Sequence, residues 1–155
     1  MTRIMFDAVT PSNIPSSATM VAGYVDGDFR NVEEMAKRFP HAKRVSIAVS
    51  HKHKAQVLDV ETGAASPEGA VAWCRETMAA TPNGELTVYC NASTLPQVRA
   101  AFKKHKVTEP NYWVAKFDGK PSIPPGAIAK QFQGGVHSPF DKSVVADHWP
   151  GVDEA

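Results

Sequence analysis

The chain has almost no charge imbalance. Its 17 Lys and Arg against 16 Asp and Glu leave a formal net charge of +1 over 155 residues. A near-neutral chain lacks the field that draws nucleic acid or an anionic membrane surface, so neither is expected as a partner. Only two cysteines occur, Cys74 and Cys90. They form neither a disulfide framework nor a Cys-x-x-Cys metal site, and both are expected as buried free thiols. No apolar run approaches the length of about 18 residues that marks a membrane-spanning helix. The first residues lack the basic-then-apolar layout of a signal peptide. Synthesis in a cytoplasm is therefore expected, with action on a cell wall only after release or carriage on a virion. Internal repeats and low-complexity segments are absent too, and the length fits one domain, 1–155.

What is present is an alternation of short apolar runs and helical patterns. That alternation predicts an α/β fold with parallel strands. The runs are Arg3 to Asp7, Met20 to Val25, Arg44 to Val49, Ala55 to Glu61, Glu85 to Cys90, Tyr112 to Phe117 and Ala127 to Phe132, with a shorter apolar pair at Val144-Val145. Helices are expected after caps at Asn31, Ser66 and Ser93, the second with Pro67 at its first position. An eight-fold (β/α) barrel usually takes about 250 residues. A TIM-like barrel built here must be a compact, modified one with trimmed helices. The stretch between the third and fourth runs is too short for a crossover helix, so a loop is expected there.

Carboxylates recur where these runs end: Asp7, Asp26, Asp28, Asp59, Glu61 and Asp118. In parallel α/β folds the carboxyl ends of the strands form the active-site face. Acids in such places also serve as helix caps or solvated loop residues. Asp59 and Glu61 stand apart, because they lie two residues apart in Val57-Leu58-Asp59-Val60-Glu61. A strand alternates its faces, so both side chains point the same way, with Cα atoms roughly 6.5–7 Å apart. Neighbouring carboxylates repel, which raises the pKa of at least one and keeps a proton available. Glycosidases use such pairs, one carboxyl protonating the leaving oxygen while the other attacks or stabilises.

Aromatic residues also gather near strand ends: Tyr24, Tyr89, Trp113, Phe117 and Phe132. They suit either the apolar faces of sugar rings or a hydrophobic core. His51-x-His53 lies among lysines, which repel a cation, so it reads as a solvated basic loop, and neither metal nor cofactor is expected.

Taken in order, these pieces resemble the glycoside hydrolase family 25 lysozymes and the glycoside-hydrolase-like domains of actinobacterial phage lysins. The resemblance rests on Phe6-Asp7, Leu58-Asp59-Val60-Glu61, Val88-Tyr89-Cys90-Asn91, Tyr112-Trp113-Val114-Ala115, Lys130-Gln131-Phe132 and Phe140-Asp141-Lys142-Ser143-Val144-Val145. It implies a barrel that cleaves the peptidoglycan glycan strand between N-acetylmuramic acid and N-acetylglucosamine. It implies Glu61 as general acid, Asp59 as its electrostatic partner, and Asp7 and Asp141 as the remaining acids of the cluster. Asp26, Asp28, Tyr24, Tyr89, Trp113 and Gln131 are the expected substrate-binding residues. The chain departs from the pattern at Asp7-Ala8-Val9, where the family carries Asp-x-Ser, and at Asp26-Gly27-Asp28, where it carries a glutamate-glycine pair. These departures keep a second reading open, a non-catalytic module of the same fold in a virion or on a cell wall.

Overall fold

A computed structural model describes residues 2–154; residues 1 and 155 lie outside the described residues. Eight strands close into one barrel in sequence order. They are β1 (Arg3–Asp7), β2 (Met20–Tyr24), β3 (Lys43–Ala48), β4 (Val57–Val60), β5 (Thr87–Asn91), β6 (Asn111–Ala115), β7 (Ala129–Gln133) and β8 (Asp141–Val145). The first seven run parallel. The expectation of parallel strands fails at β8, which is antiparallel to both β1 and β7. The connection from β7 to β8 is too short for a crossover, so the chain reverses direction instead.

The helices are as trimmed as the length requires: α1 (Val32–Arg38), α2 (Pro67–Ala72) and α3 (Leu95–Lys104). Residues 49–56 between β3 and β4 carry no helix. Ser66 caps α2 by accepting a hydrogen bond from the Gly69 N–H, and the helix widens into a π-turn over Trp73–Thr77. The cap of α3 is one residue later than expected, at Thr94. Asn31 precedes α1 without a side-chain cap bond. Its side chain instead ties two strand ends together: Oδ1 accepts from the Tyr24 N–H at 2.8 Å, and Nδ2 donates to the Ala8 carbonyl at 2.8 Å.

Strand alternation divides the apolar residues between two sides. Leu58, Val60, Val88, Cys90, Tyr112 and Val114 face outward against Val71, Cys74, Val98 and Phe102 from α2, its π-turn and α3. Both cysteines lie in this layer as free thiols, and burial pushes each up to about 12. Met5, Ala22, Val45, Ile47, Val57, Trp113, Ala129 and Val145 fill the barrel. The segment after β8 closes the barrel end opposite the strands' carboxyl termini. Trp149 is fully buried there, its indole N–H donating to Thr87 Oγ1 at 2.8 Å. Asp153 locks the plug through ion pairs of 2.9 Å to Arg3 and Lys43. Trp149, Trp113 and Tyr89 pack edge to face, with centroids 5.9 and 4.7 Å apart. This column runs up the barrel interior and ends beneath the strands' carboxyl ends.

Candidate active site

Asp7 is the last residue of β1 and Asp141 the first of β8, and they are direct partners across the antiparallel ladder. Directly opposed residues put their side chains on one face, here the barrel interior. The two carboxyl groups hydrogen-bond each other. Gln131 of β7 donates from Nε2 to Asp7 Oδ2 at 3.0 Å, and its Oε1 accepts from the Tyr89 hydroxyl at 2.6 Å. The Gly135 N–H donates to Asp141 Oδ1 at 3.0 Å. Gly134 precedes it at φ +149°, and a Cβ there would fall 1.7 Å from Asp141 Oδ1. Only glycine lets the backbone pass this close to the carboxylate.

Asp59 comes inward from β4, while Leu58 and Val60 point out beneath the helices. Only 4% of Asp59 is exposed, and its Oδ1 is buried without a hydrogen-bond partner. Glu61 follows the end of β4, less buried, and its carboxyl hydrogen-bonds that of Asp59. The turn after it is tight: Ala64 N–H donates to the Glu61 carbonyl at 2.9 Å and Ala65 N–H to the Asp59 carbonyl at 3.1 Å.

Burial dominates the electrostatics. It holds the Asp7 carboxyl well above the ordinary carboxylate range, and the neighbouring Asp141 charge pushes the same way. Burial, together with the hydrogen bond and charge of Glu61, lifts Asp59 to about 9. Asp141 is raised too, chiefly by burial. Burial and the surrounding carboxylates drive the Tyr24 and Tyr89 phenols above their usual value, so both stay neutral hydrogen-bonding groups. Asp59, lifted to about 9, holds a proton at neutral pH, and a retained proton is what general-acid chemistry demands.

A cleft of about 460 Å³ opens on the Asp59–Glu61 side of this cluster, with Tyr24, Asp28, Asp59, Glu61, Val9 and Phe29 in its walls. Asp26 also borders it, but its carboxylate is taken up by the backbone N–H groups of Val49 and Ser50 at 2.8 and 3.1 Å and by His53 Nδ1 at 2.7 Å. Those bonds outweigh partial burial and hold Asp26 below the ordinary range. Asp26 anchors the β3–β4 loop. Trp113 lies beneath the cleft, not on it: it is 1% exposed and its indole donates to Ser143 Oγ at 3.0 Å. Gln131 is likewise buried, with both ends of its amide committed to Asp7 and Tyr89. These two positions face the interior and so support the floor of the site. Asp118 turns to the outer side, pairing at 2.7 Å with the buried Lys130. Sequence reasoning missed Val9 and Phe29, which stand at the cleft with more than half of each side chain exposed. Val9 carried one signal, its place where the resembled family has a serine, and Phe29 carried none beyond lying in the loop after the second strand.

No family model matches the chain, and no curated protein matches it in sequence. Solved structures do match in shape. A muramidase from Acremonium alcalophilum superposes with a TM-score of 0.55 at 11% identity, over 94% of either chain. A family GH25 lysozyme from Aspergillus fumigatus superposes with a TM-score of 0.58 at 15% identity, over 96% of this chain and 95% of that one. The chain therefore has the fold of these two proteins across nearly its whole length.

Proposed function

We propose that the chain is a glycoside hydrolase of muramidase type that cleaves the peptidoglycan glycan strand by carboxylate acid catalysis. The observation that carries this reading is the gathering of Asp7, Asp59, Glu61 and Asp141 at the mouth of one barrel, with protons held among them by burial. Glu61 is the general acid. It is the less buried member of the pair with Asp59 and lines the cleft, so it is the member a glycosidic oxygen reaches. As the bond to the leaving oxygen breaks, that oxygen takes the proton from Glu61, and positive charge develops on the sugar ring. Glu61, left as a carboxylate by that transfer, lies where it stabilises the charge and takes a proton from the water that adds to the anomeric carbon and completes the hydrolysis. Tyr24, at the cleft, is a neutral wall for the ring. The two matched proteins, a muramidase and a lysozyme, support the reading through their shared fold.

The non-catalytic reading draws on one observation: Val9, apolar and exposed, stands in the cleft wall where the resembled family carries a serine. Purified peptidoglycan separates the two readings. A hydrolase lowers turbidity and releases new reducing ends on N-acetylmuramic acid; a binding module pulls down with the sacculi and releases none.

A further inference from the structure

Glu61 stands on a ridge between two clefts. Residues 61–64 line both the cleft of about 460 Å³ above the carboxylates and a second of about 380 Å³ on the far side. The ridge is held by its two backbone turn bonds and by Gly63 at φ +89°, a conformation other residues rarely adopt. The clefts differ in chemistry. The first has an apolar wall of Val9 and Phe29, and the second is bordered by the polar side chains of Asn91, Thr94 and Gln97.

Phe29 is 58% exposed, yet its loop is tied down on both sides. Val25 N–H donates to the Ile47 carbonyl at 2.8 Å, Asp26 holds the β3–β4 loop, and Asn31 bonds back to Tyr24. A phenyl group on an anchored loop is presented outward by the backbone and does not fold away. Among the described residues, five large apolar side chains are exposed: Ile4, Val9, Phe29, Phe117 and Val136. All but Ile4 sit on loops at the carboxyl ends of the strands, around the mouth of the site. An even scatter of surface apolar groups would need no explanation, but their concentration at one end does.

We infer that the two clefts hold the sugars on opposite sides of the cleavage point by different means. Phe29, with Val9, stacks on the apolar face of a pyranose ring on one side of Glu61. Asn91 and Gln97 hydrogen-bond the amide-bearing substituents of the sugar on the other side. The inference rests on the hydrolase reading for its substrate, but it concerns binding and is tested by binding.

The probe is a soluble tetrasaccharide of alternating N-acetylglucosamine and N-acetylmuramic acid, titrated calorimetrically into the Glu61→Gln protein so that it is not consumed. Phe29→Ala in that background is expected to weaken binding about tenfold, the loss of one stacking surface. Phe29→Trp is expected to keep it, since a larger flat ring serves the same purpose. Asn91→Ala with Gln97→Ala is expected to weaken it by a similar factor. All these side chains are exposed, so the thermal midpoint is expected to stay within about a degree or two of the parent. Unchanged affinity in Phe29→Ala, equal losses in Phe29→Ala and Phe29→Trp, or no tetrasaccharide binding by the parent overturns the inference. Binding that depends on Phe29 in a protein whose wild type releases no reducing ends supports the inference and sinks the hydrolase reading alone. Hydrolysis by a wild type whose Phe29→Ala variant binds and cleaves equally does the reverse.

Discussion

Asp7 and Asp141 end and begin their strands at the same level of the barrel, face to face across the one antiparallel seam that joins the first strand to the last. Their carboxyls share a hydrogen bond, so this pair seals the barrel at the point where it also completes the acidic cluster. A slip of one residue in that seam would turn Asp141 out of the barrel. The Gly134-Gly135 approach to Asp141 fixes the seam from the loop side.

Gly134→Ala tests that approach. The added Cβ collides with Asp141 Oδ1, and alanine is strained at φ +149°. The expected outcome is a folded protein, destabilised by about 1–3 kcal/mol, whose peptidoglycan-clearing rate falls at least tenfold because Asp141 has moved. Wild-type clearing by this variant would separate Asp141 from the chemistry.

Stability is expected to depend on pH through Asp59. In the folded chain it keeps its proton up to about 9, against a value near 3.8 when unfolded. Between those values the folded state binds a proton that the unfolded state has released, so stability falls as pH rises. The contribution is fully present below about pH 4 and lost progressively toward pH 9. Asp59→Asn removes the titration. Its stability relative to wild type is expected to be higher at pH 8 than at pH 5, by urea unfolding at both. An equal difference at the two values would show that Asp59 titrates normally.

Gln131 bridges two buried groups, Asp7 and the Tyr89 hydroxyl. Gln131→Leu removes both partners at similar volume and leaves each polar group unsatisfied. A loss of about 1–3 kcal/mol per stranded group is expected. Tyr89→Phe in the Leu background then removes one of those groups, so the double variant is expected to recover part of the loss. A double-mutant cycle by denaturant unfolding measures it, and strict additivity of the two changes would show that the bridge contributes nothing.

Much of this was legible in the sequence. The first seven strands announce themselves because their outward faces are apolar under helices, or their inward faces are apolar within the barrel. Asp59-Val60-Glu61 stood out because an acid interrupts an apolar strand. The eighth strand was nearly invisible, reading only as Val144-Val145, because its inward residues above Val145 are Ser143 and Asp141, which serve the site and its floor. Asn31 looks like a cap by residue type, but long-range partners at Tyr24 and Ala8 claim its amide. Trp113 looks like a sugar platform by its place near a strand end. Only the column it forms with Tyr89 and Trp149 shows that it fills the barrel. Trp149 itself lies in a tail with no periodicity, so nothing local marks it as the plug.

The central claim is that Glu61 donates the proton that breaks the glycosidic bond. The direct measurement is the rate at which wild type and Glu61→Gln release reducing ends from purified peptidoglycan, at matched protein concentration and with folding checked by circular dichroism. An active wild type and a loss of about 10²–10⁴-fold in the variant are expected, the usual contribution of a general acid. A wild type that releases no reducing ends, or a Glu61→Gln protein that releases them at the wild-type rate, would contradict it.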